Sequence, residues 1–463
     1  MKYVSTRGKA PVLSFDDVLL TGLARDGGLY LPEAWPQFSA NQIRAMQGKS
    51  YVEVAREVMT PFVSDVIPEA DFAEIVEKAY ARFEHPAIAP MKQLDGNLWL
   101  MELFHGPTLA FKDYALQLVG HLFDYVLTKR GEKVTIVGAT SGDTGSAAIE
   151  ACRDRDAIEV FILHPEGRVS EVQRRQMTTV LSSNIHNIAL KGTFDDCQDA
   201  VKAMFNDLEF RDAYKLGAVN SINWARIMAQ IVYYFYAATR IGSPDRTVRF
   251  SVPTGNFGNV FAGYAARKMG LPIEKFIVGS NRNDILTRYF ETGTMAMDSV
   301  EPSLSPSMDI QISSNFERLL ADVYKGEESA LTQAMAEFRD TGSVSFGDGR
   351  WKQIVELFEG HRLTDEMTLQ KIKRAYARTG ELLDPHSIIG VVAARMAGVS
   401  ETATIALATA HPAKFPDAVE RATGVRPGLP PHMGDLFDRE ERFEIISNDL
   451  DAVKTHISSK VDG

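Results

Sequence analysis

The stretch VTIVGATSGDTGSAAIEAC, residues 134–152, decides how this chain is read. Its first third is a short β-branched run, and its last third continues as a helix of small apolar residues. Between them lies a turn built on Gly138, Gly142 and Gly145. A strand that passes through such a turn into a helix is a βα unit, and the N–H groups opening the helix face an anion. The same context recurs at RFSVPTGNFGNVFAGYAARKMG, residues 249–270. EVFILHP (159–165), NIHNIAL (184–190), PIEKFIVGSN (272–281) and TATIALAT (402–409) add strands, with helical stretches between them. This alternation predicts a mostly parallel sheet with helices on both faces and ligands at the carboxyl ends of its strands.

Outward from this core, residues 1–97 read as a small N-terminal unit, with helices expected over 50–62 and 69–83. Residues 98–225 read as a smaller α/β domain and 226–463 as a larger one. Inside the larger domain, residues from about 315 to 380 are more charged and read as a helical insertion. The apolar run IMAQIVYYFYAA (227–238) is too short to span a bilayer and reads as a buried helix.

The 463 residues are 45% hydrophobic and 24% charged, an ordinary globular composition long enough for more than one core. A net charge of −11 argues against a nucleic-acid partner, which needs a basic field. Cys152 and Cys197 are too few for a disulfide framework, no CxxC spacing occurs, and no metal is expected. The opening MKYVSTRGKAPV lacks an apolar signal core, so a cytoplasmic protein off the membrane is expected.

Chemistry gathers first at LFHGPTLAFKD, residues 103–113. Lys112 follows Leu109, Ala110 and Phe111. A lysine with an apolar wall loses its proton more readily, and the neutral amine condenses with an aldehyde. The plainer reading is a lysine that buries its stem and holds its charge in water. Gly138–Gly145 and Pro253–Asn259 are neither Walker loops nor dinucleotide fingerprints. Either could merely close a turn. Two anion-facing loops beside an apolar lysine instead suggest a phosphorylated aldehyde cofactor, pyridoxal phosphate. A third cluster, NSINWAR (220–226), offers the amide of Asn220, the hydroxyl of Ser221 and the phosphate-matching fork of Arg226. Its alternative is a helix cap followed by an ordinary arginine.

Taken as a set, GLARDGGLYLPE (22–33), LFHGPTLAFKD, GATSGDTG, NSINWARI, PTGNFGN, SPSMDIQISSN (305–315) and TAHPAKFP (409–416) closely resemble the threonine synthase family. These are pyridoxal-phosphate enzymes of the tryptophan-synthase-β type. The resemblance implies a fold-type-II architecture: two three-layer α/β domains, a small N-terminal unit and a helical insertion. It implies conversion of O-phospho-L-homoserine and water to L-threonine and phosphate by γ-elimination and β-addition of water. Lys112 would carry the cofactor as a Schiff base and move protons. Gly255, Asn256, Phe257, Gly258 and Asn259 would cradle its phosphate, and Thr409 would face its ring nitrogen. Thr140, Ser141, Gly142, Asp143 and Thr144 would surround the substrate carboxylate, with Asp143 shaping the loop. Asn220, Ser221 and Arg226 would hold the substrate phosphate. His105 and Asp113, which flank the lysine, are open to an ordering or a catalytic role; Met308 and Asp309 read as a structural loop; and of His411 and Lys414 beside Thr409, Lys414 could meet an anion or, equally, serve as a cap or lie at the surface. The resemblance admits a monomer or a homodimer. A dehydratase on the same fold, a phospholyase for another phosphorylated amine, and a non-catalytic cofactor binder are the competing readings.

Overall fold

The computed structural model describes residues 1–461 apart from Val219 and Val399. Two open sheets carry the chain. The larger has six strands in the order Phe358–Arg362, Ile273–Ser280, Val248–Pro253, Ala403–Ala408, Leu98–Glu102 and Met91–Asp95. Its pairings are parallel except the last. The smaller has five in the order Glu444–Ser447, Ile185–Lys191, Ile158–Pro165, Val134–Ala139 and Leu216–Gly217, all parallel. Strand Val248–Pro253 is buried along its whole length, as expected where helices cover both faces.

Helix Trp224–Arg240 is buried from Trp224 to Thr239, which explains its apolar residues on every side. It packs against helices Tyr51–Val63 and Lys112–Arg130. Helix Tyr51–Val63 begins with a capping box in which Ser50 and Glu53 satisfy each other's N–H groups. Helix Lys112–Arg130 lies so close to helix Asp143–Cys152 that a Cβ on Gly120 would collide with the Ala151 carbonyl.

The sheets redistribute three expected segments. Leu98–Glu102 was expected in the smaller unit, but it pairs in parallel with Ala403–Ala408 of the larger sheet. Glu444–Ser447 was expected in the larger unit, but it pairs with Ile185–Lys191 of the smaller. The segment read as a helical insertion contributes strand Phe358–Arg362, which forms an edge of the larger sheet. Sequence order cannot show such pairings, because the partners come from distant stretches. The strands preceding Lys112, Thr140, Gly255 and Thr409 all deliver those residues at or beyond their carboxyl ends.

Candidate functional site

Lys112 is the first residue of its helix, and its side chain is buried. The loop before it is pinned to the end of strand Ala403–Ala408: the Phe111 N–H donates to the Thr409 carbonyl at 2.9 Å, and the His411 N–H to the Leu109 carbonyl at 3.0 Å. Leu109 and Phe257, one on the lysine loop and one on the second glycine loop, have φ of 63° and 61°. Left-handed backbone at bulky residues is costly and persists where the surroundings over-determine it.

The Lys112 Nζ lies 3.3 Å from Asp143 Oδ2 and 3.3 Å from Ser307 Oγ. Ser307 itself donates to Asp143 Oδ2 at 3.1 Å. The other carboxylate oxygen, Oδ1, accepts from Gln173 Nε2 at 2.8 Å and meets Lys414 Nζ at 3.1 Å. Lys414 is fully buried and donates further to the Thr108 carbonyl at 2.7 Å and to Gln176 Oε1 at 3.0 Å. Burial pushes the Lys112 amine below the ordinary lysine range against the pull of Asp143, and the positive charges of Lys414 and Arg226 add to that push. Burial alone would raise the Asp143 carboxyl, but Lys112 and Lys414 hold it well below the usual carboxylate range. Asp113 does not enter this cluster. It accepts from the Thr108 N–H and hydroxyl at 2.9 and 2.6 Å, and burial pushes it up to about 6.

The first glycine loop closes on Thr140, whose hydroxyl oxygen accepts from the N–H groups of Gly142 and Gly145 at 2.9 Å each. Ser141 and Thr144 stay half-buried on that turn. The second loop is held from outside. Ser313 Oγ donates to the Gly255 carbonyl at 2.7 Å, and the Asn315 N–H and Nδ2 both donate to the Asn256 carbonyl at 3.0 Å. A Cβ on Gly255 would lie 2.9 Å from the Ser307 carbonyl oxygen, so the loop meets the Ser307 segment at a point only glycine allows. Phe257 turns its ring into the core against Phe316 and Phe358. Asn259 Oδ1 accepts from Tyr233 and Tyr234 at 2.6 and 2.9 Å, which leaves its buried Nδ2 without a partner among the described residues.

Arg226 is buried, and its Nε and Nη1 also lack partners among the described residues, as does Asn220 Oδ1. Burial lowers the guanidinium to about 10, where it still holds its charge at neutral pH. A buried cation with few partners among the described residues is costly in isolation, a cost that an anion beside it would offset. Thr409 offers its N–H to Ser387 Oγ at 2.9 Å. Beside it, Asp384 and His386 form a buried pair 2.9 Å apart.

Several contributors were missed: Ser307, Ser313, Asn315, Gln173, Gln176 and Ser387. SPSMDIQISSN, rich in serine and amide residues, held the signal for the first three. Asp309, read as structural, accepts from Ser303 Oγ at 2.6 Å and Asn281 Nδ2 at 2.7 Å and orders that segment. His105 pairs with Glu102 at 2.7 Å, and burial lowers His411 to about 4. No grouping of metal-ligand type is present among the described residues, and none of the described helices is long and apolar enough to cross a membrane.

The family described as threonine synthase N terminus matches residues 2–80, and that described as threonine synthase, C-terminal matches residues 387–457. The pyridoxal-phosphate dependent enzyme family matches residues 83–409. The chain is 56% identical to a threonine synthase of Pseudomonas aeruginosa over 460 residues, covering 99% of this chain and 98% of that one. The pyridoxal-phosphate-bound threonine synthase structure from Brucella melitensis superposes with a TM-score of 0.98 at 55% identity, covering 100% of both chains. A tomato threonine deaminase structure, 12% identical with a TM-score of 0.51 over 77% of this chain and 93% of its own, shares the fold alone.

Proposed function

The chain belongs to the threonine synthase family, and on that premise we propose how its residues divide the conversion of O-phospho-L-homoserine and water to L-threonine and phosphate. Pyridoxal phosphate, the cofactor, supplies an aldehyde for amines and an electron sink for the carbanions they form. The residues present fit it. Lys112 offers a buried amine of lowered basicity, Gly255 lets its loop approach the Ser307 backbone as only glycine can, and Asn259 holds a buried Nδ2 without a partner among the described residues.

Lys112 would bear the cofactor, and Gly255, Asn256, Phe257, Gly258 and Asn259 would hold its phosphate, Phe257 through its backbone. Thr409 would set a hydroxyl against the ring nitrogen. A hydroxyl does not fix a proton there as a carboxylate would. The Gly142 and Gly145 N–H groups already turn inward to Thr140. The substrate carboxylate therefore falls to Ser141, Thr144 and the remaining N–H groups of that turn, where a helix N-terminus favours negative charge. Asp143 does not repel it as a bare charge would, because Lys112 and Lys414 neutralise Asp143 from both oxygens. Asn220, Ser221 and Arg226 would take the substrate phosphate. Once released, the Lys112 amine removes the proton from the substrate Cα and later returns one.

The observation that carries this division is the position of Lys112 Nζ against Ser307, whose backbone abuts Gly255, and against Asp143 of the other loop. A dehydratase would give Arg226 no phosphate to meet. The two cysteines are free and buried, which fits a reducing cytoplasm, and the acidic charge fits no nucleic-acid partner. The test is borohydride reduction of the cofactor-loaded chain, peptide mapping, and phosphate release from O-phosphohomoserine. Cofactor fixed on Lys112, with turnover lost in Lys112→Ala, supports the assignment. Cofactor fixed on another lysine refutes it.

A further inference from the structure

Asp143 is shared between two lysines, one on each oxygen, and the lysines differ in how fully they are satisfied. Lys414 Nζ donates to the Thr108 carbonyl and to Gln176 Oε1 and forms an ion pair with Asp143 Oδ1 at 3.1 Å. Lys112 Nζ has Asp143 Oδ2 and Ser307 Oγ. Lys414 is fully buried in a short turn, Pro412–Lys414, that follows Thr409 and packs against helix Glu171–Thr178, which carries Gln173 and Gln176.

We propose that Lys414 is a positioning residue of the reaction, which by occupying Oδ1 of Asp143 holds that carboxylate in place and leaves Lys112 free to give up its proton. The proposal rests on the assignment of Lys112 as the cofactor-bearing lysine. A lone Lys112–Asp143 contact in a buried site would be an ordinary ion pair, and an ion pair keeps its ammonium charged. With Lys414 on the other oxygen, a proton leaving Lys112 leaves behind a net-neutral Lys414–Asp143 ion pair, whose carboxylate still accepts from Gln173 and Ser307. The other charged or titratable groups facing the cluster act in known directions. Arg226, on the long helix, adds positive charge at Lys112, and His386 faces Asp143. Asp113, held by Thr108, faces Lys414 from the lysine helix. Gln173 and Ser307 complete the two oxygens without charge.

The test is a pH titration of the visible band of the holoenzyme, after borohydride mapping has located the cofactor. Lys414→Met and Lys414→Gln should raise the protonation midpoint at Lys112 by about one pH unit, a roughly tenfold change in proton affinity. Lys414→Arg should bring it back, and Asp143→Asn should move it the opposite way. A merely structural role predicts losses of stability with the midpoint in place, so an unmoved midpoint in Lys414→Met or Lys414→Gln overturns the proposal. If neither variant folds, an Asp143→Asn midpoint that stays or rises overturns it. Cofactor found on another lysine overturns the site assignment together with this inference.

Discussion

The side-chain amide of Asn315 lies 3.2 Å from the backbone carbonyl of Ser221. The same nitrogen donates to the Asn256 carbonyl at 3.0 Å. One amide therefore spaces the loop assigned to the cofactor phosphate from the loop assigned to the substrate phosphate. Its Oδ1 is taken by Arg318, which also donates to the carbonyls of Tyr30 and Ile222.

Asn315→Ala should therefore weaken both phosphates at once. Losing these buried bonds costs on the order of 2–3 kcal/mol of stability, because Arg318 loses a partner too. Steady-state kinetics should show KM for O-phosphohomoserine up about tenfold, with cofactor affinity down by a similar factor. A change in only one of the two would show that the loops are set independently.

Arg226→Met should stabilise the cofactor-free protein while damaging its function. It removes a buried guanidinium whose Nε and Nη1 lack partners among the described residues and keeps an apolar stem of similar length. Thermal melts should rise by a few degrees, and inorganic phosphate, expected to raise the melting temperature of the parent, should leave that of the variant unchanged. KM for the phosphorylated substrate should rise by roughly 100-fold, as expected for a lost charge-assisted contact.

Gly255→Ala sets a Cβ 2.9 Å from the Ser307 carbonyl oxygen. Backbone must move on one side or the other, which disturbs Ser307, a partner of Lys112. Fluorescence titration should show pyridoxal phosphate affinity reduced at least about tenfold, a shift of about 1.4 kcal/mol. The overall fold should remain, since the clash is confined to the loop.

Asp113 gives a pH signature. Its folded carboxyl titrates at about 6 against an ordinary 3.8, so the folded state binds the extra proton. Its contribution to stability is therefore full below the ordinary value and is lost as pH rises through about 6. Asp113→Asn carries no such proton. Between pH 4 and pH 7, denaturant melts should shift in favour of the variant by up to about 3 kcal/mol relative to the parent, at about 1.4 kcal/mol per unit of pKa. A constant difference across that range would mean that Asp113 is ionised throughout.

The elements nearest the site were the easiest to read. Val134–Ala139, a largely β-branched run, and Val248–Pro253, buried along its whole length, both lead directly into a glycine loop, which makes a βα unit legible. Met91–Asp95 escaped notice because it is an edge strand of mixed polarity with exposed residues along it. Lys112, Arg226 and the two loops carried residue-level signals of their own. Lys414 did not, because its meaning lies in the Thr108 carbonyl, 306 residues earlier in the chain. Ser307 likewise gains its role only when Gly255 and Lys112 are folded against it.

The route of the chain has a consequence for how the molecule comes into being. Strand Leu98–Glu102 must wait for Ala403–Ala408 to be synthesised before its parallel neighbour exists, and Ile185–Lys191 waits for Glu444–Ser447. Such long-range closures are slow to nucleate and leave strand edges bare in the interval. On the ribosome neither sheet can be completed before most of the polypeptide has emerged. The nascent chain should therefore depend on chaperone protection and acquire the ability to bind pyridoxal phosphate only in its last stages.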